Sequence, residues 1–307
     1  MYSILIARTS RRRSPQSSFT LVEMLVSLAV FTILVLLVTG VLGQLNRMWV
    51  QTEAQNQRER SGRGLLNFLA RDIRKAMLPF PASSSTSLDF VINPTAIGSP
   101  ASAYNYHDSI FFQAPIATDS IATSVGEVAE VGYFVQWQPA SGSQVQTAQL
   151  CRFFVNPTDT TDFLIYANPA AWLSTANLTD VASGGSPNYA GLLAENVIGL
   201  WINPYDKNGN PYFTSTSRIY DSRNPPNPPD TAGTPNLPAM VDISILVLDP
   251  ATAKRLGSGG AASVSAVQTL VQSASITNAD QCLSSLPAVL QPGASCFTTR
   301  VQLSNSQ

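Results

Sequence analysis

The stretch RRRSPQSSFTLVEMLVSLAVFTILVLLVTG, residues 11–40, decides the architecture of this 307-residue chain. Three arginines lead into an apolar run from Met24 to Gly43. The only polar side chains of that run are hydroxyls that can bond back to their own helix: Ser27, Thr32 and Thr39. Twenty helical residues rise about 30 Å, the thickness of a bilayer core. The sequence therefore predicts one membrane-spanning helix near the N-terminus.

The distribution of charge predicts how that helix is oriented. Residues 1–18 contain four arginines and no acidic residue, and no comparable basic cluster follows the apolar run. By the positive-inside rule, residues 1–18 lie in the cytoplasm and the body of the chain lies outside it. Without residues 1–18 the chain keeps 14 basic and 19 acidic side chains. This acidic body does not resemble a nucleic-acid-binding surface.

Three other classes of N-terminal segment explain this stretch less well. A secretory signal has a shorter apolar core and a small-residue exit site, whereas Gln44-Leu45-Asn46-Arg47 follows here. A twin-arginine signal has a shorter and less apolar core. An uncut signal-anchor accounts for the arginines and the span but not for Glu23 at the start of the span. A carboxylate costs roughly 2.5–3.5 kcal/mol at the centre of a membrane helix and less near its edge.

The segment FTLVEMLV, residues 19–26, resembles the start of mature type IV pilins and of type II secretion pseudopilins. The resemblance implies that a prepilin peptidase cuts between Ser18 and Phe19 and that the new amine of Phe19 is methylated. It also implies that Glu23 pairs with the N-terminal amine of a neighbouring pilin or pseudopilin subunit. Ser18 stands where that family normally has glycine.

The helix is expected to continue beyond the membrane. Residues 44–78 contain no proline, and six residues at spacings of three and four predict a buried face: Leu65, Phe68, Leu69, Ile73, Ala76 and Met77. The prolines that follow Leu78 should end the helix. We therefore divide the chain into a basic leader (1–18), an N-terminal helix (19–78, with the span at about 24–43 and a spine at 44–78) and a head (79–307).

The head is expected to be rich in β-strands. Its apolar or alternating runs are bounded by Gly, Pro, Asn and Ser. The predicted strands are 88–92, 110–114, 127–137, 150–155, 162–166, 197–203, 241–248 and 298–303. Residues 223–238, with six prolines, predict a loop, and residues 257–262 a flexible linker. The predicted fold class is α+β: a long transmembrane and spine helix packed on an antiparallel, β-rich, pilin-like head.

Parts of the head and spine resemble the J-type minor pseudopilins of type II secretion. The resemblance rests on LLNFLARDIR at residues 65–74, on VGYF at 131–134 with LCR at 150–152, and on LLAENV at 192–197. The layout also resembles a prepilin-like family of verrucomicrobial gene cassettes, the Verru_Chthon cassette protein C type. Residues 250–294 are not explained by the J-type resemblance.

The three cysteines leave two alternatives open. Cys151, Cys282 and Cys296 form no CxxC motif, and the chain has a single histidine, so a zinc site is not predicted. In a body outside the cytoplasm, a Cys282–Cys296 disulfide is plausible and leaves Cys151 unpaired. Alternatively, all three are small apolar residues.

Other candidate sites carry weaker patterns. Asp206-Lys207-Asn208-Gly209-Asn210 spaces oxygen ligands like the start of a calcium loop, yet Asn208-Gly209 is typical of a tight turn. The pair His107-Asp108 comes without a recognisable nucleophile motif. We therefore predict no catalytic residues, no metal site and no cofactor.

The sequence predicts a non-enzymatic subunit that starts in the inner membrane, with its leader in the cytoplasm and its head in the periplasm, and then joins a fibre. A head of more than 200 residues would crowd a helical fibre, which favours a minor pseudopilin or pilin-like subunit. The alternatives are a pilin-anchored adhesin or carbohydrate-binding protein, and an uncut membrane-anchored enzyme.

Overall fold

The computed structural model describes residues 20–77, 90–94, 108–116, 128–138, 147–155, 190–213, 217–222 and 236–303. By its internal contacts the chain divides into two units, residues 1–53 and 54–307. The first unit, as far as it is described, is helical and exposed along its length. The second unit holds both sheets and the core.

Helix α1, Leu21–Ile73, is the longest element, with 53 residues. In the second unit its buried residues recur at alternating spacings of four and three: Gly62, Leu66, Leu69, Ile73 and Ala76. That spacing places them on one face of the helix, which joins the hydrophobic core. The predicted buried face of the spine is confirmed in part: Leu69, Ile73 and Ala76 are buried, whereas Leu65, Phe68 and Met77 are only partly buried.

The helix ends earlier than position 78, where the sequence predicted its end. Lys75 N–H donates to the Asp72 carbonyl and Ala76 N–H to the Ile73 carbonyl, which tightens the chain into a final turn. Met77 N–H already donates to Gln113 O of a strand. Pairing with the sheet therefore ends the helix before the prolines can do so.

Within its described residues, the head contains two antiparallel sheets. The six-stranded sheet has the order β5-β4-β3-β2-β1-β7 and the three-stranded sheet the order β6-β8-β9. The strands are β1 Phe90–Ile92, β2 Ile110–Ala114, β3 Ala129–Gln138, β4 Thr147–Val155, β5 Ala190–Glu195, β6 Val197–Tyr205, β7 Tyr220–Asp221, β8 Met240–Leu248 and β9 Ala294–Gln302. The predicted α+β fold, a long N-terminal helix followed by an antiparallel β-rich head, is thus confirmed.

The chain passes from the larger sheet to the smaller one at Asn196, between β5 and β6. Asn196 has φ +62°, a left-handed conformation that asparagine tolerates better than most residues. Its N–H donates to Ala148 O of β4 and its carbonyl accepts from Leu248 N of β8. Asn196 is therefore hydrogen-bonded to both sheets, which also share the hydrophobic core.

The segment between β8 and β9 folds into helices rather than the predicted flexible linker. Helix α2, Pro250–Ser258, begins after Asp249, whose carboxylate accepts Thr252 N–H at 2.6 Å. Helix α3 (Gly260–Val271) and helix α4 (Ala279–Ser285) follow, and a 3₁₀ turn spans Gln291–Gly293. Gly260, at φ +81°, bends the chain between α2 and α3, so the prediction of a linker at 257–262 was wrong.

Candidate functional site

The first candidate site is the start of α1, where Thr20 and Glu23 cap the helix. Thr20 N–H and Thr20 Oγ1 donate to Glu23 Oε2 at 3.0 and 3.1 Å, and Glu23 N–H donates back to Thr20 Oγ1 at 3.4 Å. This reciprocal pattern is a capping box, and it satisfies N–H groups that a helix start leaves without partners.

The capping box uses only one oxygen of the Glu23 carboxylate. Glu23 Oε1 accepts no hydrogen bond from the residues that the structure describes. The carboxylate can therefore hold the helix start through Oε2 and still offer Oε1 to a donor outside the chain. The sequence analysis singled out Glu23 but missed Thr20, which the spacing Thr-x-x-Glu could have revealed.

The apolar helix that follows is the one candidate membrane span among the described residues, Leu21–Asn46. None of its residues in the most apolar window is buried inside the chain. Its hydroxyl groups bond to carbonyls one turn back: Ser27 to Glu23 O at 2.6 Å and Thr39 to Val35 O at 2.6 Å. Between Leu21 and Asn46, each side chain is thus apolar or has its hydrogen bonds made within the same helix. The exceptions are Glu23 Oε1 and the side-chain amides near the C-terminal end of the span. The predicted span at about 24–43 lies inside this helix.

Ser18 and Phe19 lie outside the described residues. Cleavage between them and methylation of Phe19 therefore stay predictions. The structure gives the geometry only from Thr20 onward, where the helix begins.

The end of α1 is joined to the larger sheet by a buried polar cluster. Asp72, with a side chain 2% exposed, accepts Tyr133 OH at 2.6 Å and Arg152 Nη2 at 2.8 Å. The Arg152 guanidinium lies over the rings of Phe68 and Phe154. Burial and the Asp72 carboxylate raise the pKa of Tyr133, so the phenol stays protonated and keeps donating. The cluster fastens the spine to the sheet and has no free nucleophile.

A second buried cluster surrounds Asp108 and gives it a structural role. Asp108 Oδ2 accepts Ile202 N–H at 2.8 Å, and both carboxylate oxygens bond the Arg218 guanidinium. Asn93, at φ +55°, donates from its amide to Asp108 Oδ1 at 2.8 Å. Asp108 is therefore used to join β1, β6 and the segment before β7. Its sequence neighbour His107 lies outside the described residues.

The three cysteines are free thiols in the structure. The Cys282–Cys296 disulfide is therefore not formed there, and it stays a prediction for exported protein. Cys296 Sγ donates to Asp280 Oδ1 at 2.8 Å. Burial, together with the Asp280 carboxylate, raises the pKa of Cys296 to about 11, and burial raises the pKa of Cys282 to about 12. Because the thiolate is the reactive form, neither thiol is suited to nucleophilic chemistry.

The segment Asp206–Asn210 is a tight turn, as the Asn208-Gly209 pair predicts. Asp206 Oδ1 accepts the N–H groups of Asn208 and Asn210 at 2.8 and 2.7 Å, and Oδ2 accepts the Asn210 amide at 2.9 Å. Gly209 takes φ +84°, which the turn requires. These bonds lower the pKa of Asp206 despite an opposing desolvation effect. Both oxygens of the Asp206 carboxylate accept hydrogen bonds within the turn, and this arrangement gives no support to calcium binding.

A cavity of about 490 Å³ opens on the α4 side of the smaller sheet. Three of its polar side chains are already partnered: Asn203 with Thr277 O, Asp242 with Arg300, and Asp280 with Cys296. Phe213 and Tyr205 line it, but each ring carries an arginine over one face. The cavity therefore offers few unsatisfied groups to a sugar, which weakens the carbohydrate-binding alternative.

Comparison with known proteins places a family motif on the first of these sites. The family model described as the prokaryotic N-terminal methylation motif matches residues 13–39. The match covers Arg13, both Ser18 and Phe19, the capping box and most of the span. No curated protein matches the chain. The motif supports a type IV prepilin-like protein, and it marks the N-terminal helix as the functional site.

Proposed function

We propose that this type IV prepilin-like chain is a minor pilin or pseudopilin subunit, which joins a type II secretion pseudopilus or a type IV pilus-like fibre through its N-terminal helix. The observation that carries the proposal is the capped apolar helix Leu21–Asn46, most of which lies within the methylation motif at residues 13–39. The motif belongs to structural subunits, which supports a non-enzymatic role. The adhesin or carbohydrate-binding alternative is not favoured.

The physical argument begins with the exposed apolar helix. Side chains such as Phe31, Leu36 and Leu37 are 64–72% exposed within the chain. A row of exposed apolar side chains this long needs a lipid or a protein environment. A membrane supplies it before assembly, and the helices of neighbouring subunits supply it afterwards. One helix can therefore serve as membrane anchor and as assembly element.

Processing would complete the site. Cleavage between Ser18 and Phe19 by a prepilin peptidase would place a new amine on the residue directly before the capping box, four positions before Glu23. In the proposed fibre, Glu23 Oε1 accepts from the amine of Phe19 in a neighbouring subunit. A carboxylate in an apolar environment is costly without a partner, and a charged amine is the strongest partner available there.

The proposed topology follows from the arginines of the leader, which keep residues 1–18 in the cytoplasm by the positive-inside rule. The head then lies in the periplasm, and the protein stays single-pass in the inner membrane until it enters the fibre. A minor position is proposed because residues 79–307 form a bulky head. The J-type resemblance in the spine and in β3–β5 supports the same position.

The first experiment determines the mature N-terminus. Mass spectrometry of the membrane and fibre fractions should find chains that start with N-methyl-phenylalanine at Phe19. Intact Met1 in assembled material would overturn the proposal. Substituting Ser18→Gly restores the residue usual in the family and is expected to leave cleavage as efficient or to raise it.

The second experiment separates the two roles of Glu23. Glu23→Gln keeps an acceptor for the Thr20 cap but loses the charge, whereas Thr20→Val loses the hydroxyl of the cap and keeps the carboxylate. Glu23→Gln and Glu23→Val should insert more easily into the membrane, remain cleaved, and be depleted from fibres. Thr20→Val should enter fibres nearly normally. Incorporation of both Glu23 variants at the wild-type level would show that the carboxylate is not an assembly contact.

A further inference from the structure

The feature behind this inference is the outer edge of β9, the last strand of the three-stranded sheet. Leu303 N–H donates to Ala239 O, one pair beyond the register of β8 and β9. In an antiparallel ladder, pairs that exchange hydrogen bonds alternate with pairs that do not, so the odd-numbered residues of β9 bond to β8. The backbone N–H and C=O groups of Thr298, Arg300 and Gln302 therefore point away from β8.

These six backbone groups have no hydrogen-bond partner among the residues that the structure describes. The opposite edge of the same sheet is occupied, since Asp108 N–H donates to Leu200 O of β6 and Ile202 N–H donates to the Asp108 carboxylate. Proteins usually protect a free edge with proline, a bulge or charged side chains. β9 contains no proline and pairs with β8 without a register shift, and Asp242 already holds its one charged side chain, Arg300. The edge can therefore accept a further strand.

Two helices flank β9 on its opposite faces. The Phe297 ring lies against Gly62 of α1, where it would meet an added Cβ at 2.3 Å. Cys296, the next residue along the strand, donates from its thiol to Asp280 Oδ1 of α4 at 2.8 Å. Because successive side chains of a strand point to opposite faces, α1 covers one face and α4 the other. A strand added at this edge would therefore have one row of side chains on the α4 face.

The cavity of about 490 Å³ lies on that α4 face and reaches the edge strand. Thr298, Asp242 and Asp280 are among its lining residues. A residue paired with Thr298 in an added strand would place its side chain on the same face, next to the cavity. Asp280 is exposed, and its Oδ2 accepts no hydrogen bond from the described residues. A lysine or arginine opposite Thr298 would therefore find a carboxylate acceptor.

We propose that the outer edge of β9 binds an extended strand of a different fibre subunit, with a lysine or arginine opposite Thr298. An extended backbone supplies N–H and C=O groups at the spacing of this edge, and the Asp280 carboxylate favours the cation. A second copy of this chain fits less well, because a two-fold pair of β9 strands centred on Thr298 sets Thr298 against itself and brings no cation.

The choice of a fibre subunit rests on the proposed assembly function. Phe297 of β9 packs on α1, the helix that holds neighbouring subunits in the proposed fibre, so a neighbour is the partner nearest to this edge. A contact with a different subunit also does not repeat along the fibre, which fits a minor position. The inference adds a contact in the head to the one proposed for the N-terminal helix.

The test uses the full-length chain in cells that assemble the fibre. The photocrosslinker p-benzoyl-phenylalanine replaces Gln302, which is exposed on this edge. Irradiation should give an adduct with another protein that carries an N-terminal methylation motif, and mass spectrometry should place the adduct on a segment with a lysine or arginine. Thr298→Pro removes an outward N–H and should lower the yield at least about fivefold. Asp280→Asn should lower it at least about threefold, because the cation loses its acceptor.

Matched controls separate edge binding from general damage. Glu195→Gln removes another exposed carboxylate, on β5, and should leave the yield within about twofold of wild type. Thr299→Pro removes an N–H that bonds to β8, so it should lower the unfolding midpoint more than Thr298→Pro does. Every variant must resist limited proteolysis as the wild type does. If Thr298→Pro fails this check, Thr298→Lys replaces it, since its own ammonium would occupy Asp280 and repel the incoming cation.

A charge exchange completes the test. Asp280→Lys should abolish the adduct, and replacing the partner's crosslinked lysine or arginine by glutamate should restore it to within about threefold. Adducts only with a second copy, with an exported soluble protein or with lipid would overturn the inference. So would the absence of an adduct, or a yield that neither Thr298→Pro nor Asp280→Asn changes. Leader cleavage and the Glu23 dependence of fibre entry, measured on the same samples, report separately on the proposed function.

Discussion

The buried pair Asp72–Arg152 should contribute far more to stability than the exposed pair Asp242–Arg300, although the exposed pair has the better hydrogen-bond geometry. Asp242 accepts two bonds from Arg300, at 2.5 and 2.7 Å. Arg152 donates one at 2.8 Å to Asp72. The side chains of Asp72 and Arg152 are 2% and 19% exposed, against 20% and 56% for Asp242 and Arg300. Burial and geometry therefore predict opposite orders.

Asp72→Asn keeps the shape of the side chain and removes its charge. The Arg152 guanidinium is then left in the interior without a counter-charge, and Tyr133 OH faces a weaker acceptor. Removing one partner of a buried ion pair lowers the free energy of unfolding by about 3–5 kcal/mol. Because the asparagine can still accept one hydrogen bond, we expect a loss near the lower value, about 3 kcal/mol. For a unit of this size, such a loss lowers the unfolding midpoint by about 10 °C.

The assay is thermal unfolding of the full-length protein in detergent, followed by near-ultraviolet circular dichroism. The control Asp242→Asn should shift the midpoint by no more than about 2 °C, because water screens an exposed pair. The double variant Asp72→Asn with Arg152→Met should recover much of the loss, since it removes the unpaired charge and keeps an apolar side chain against Phe68 and Phe154. A larger shift for Asp242→Asn than for Asp72→Asn would refute the argument from burial.

Two further predictions concern packing and thiol chemistry in the second unit. A Cβ on Gly62 would lie 2.3 Å from the Phe297 ring, whereas one on Gly64 meets nothing within 4 Å. Gly64→Ala should therefore stabilise the protein by about 0.5–1 kcal/mol, because alanine has the higher helix propensity. Gly62→Ala should destabilise the protein by about 1 kcal/mol, because the added methyl group would collide with the Phe297 ring. If both variants shift the unfolding midpoint in the same direction, the close packing of α1 on β9 is contradicted. In reduced protein, alkylation of Cys296 should be slow at pH 8 and rise about tenfold per pH unit towards pH 11, because its pKa is raised to about 11. Asp280→Asn should speed alkylation by removing the carboxylate that raises this pKa, and rapid labelling of the native wild type at pH 7 would disprove the raised value. The sequence predicts a Cys282–Cys296 disulfide, which would stabilise the protein by about 3 kcal/mol through chain entropy. Non-reducing peptide mapping of exported protein tests this prediction separately. Two free thiols at these positions would reject it.

Elements whose signal is local were predictable from the sequence. The membrane span follows from composition alone, and the alternation in Val241–Ile245 predicted β8 to within one residue at its start. Strand β2 was predicted with its observed bounds, Ile110–Ala114. In each case the local pattern of apolar and polar residues is enough to indicate the helix or strand that forms.

Elements that depend on pairing partners were missed or misplaced. Strand β5 (Ala190–Glu195) contains Ala and Gly, which have low β-propensity, and it is a strand because β4 pairs with it. The helices after β8 were missed because glycines near 257–260 were interpreted as a linker. The local signal was Asp249-Pro250, a helix cap followed by proline at the first helical position. The predicted strand at 162–166 lies outside the described residues.

The buried polar clusters could not be predicted from the sequence, because their partners are far apart along the chain. Asp72 is bonded to Arg152, Asp108 to Arg218, and Asp249 to the start of α2 and to Arg58 at 3.7 Å. Which carboxylate meets which arginine depends on the register of strands far apart in sequence. Asp72 joins α1 to β3 and β4, and Asp108 joins β6 to the segment before β7, although no local pattern around either acid indicates its partner. The polar interior therefore depends on the assembled sheets, whereas the apolar N-terminal helix depends only on its own composition.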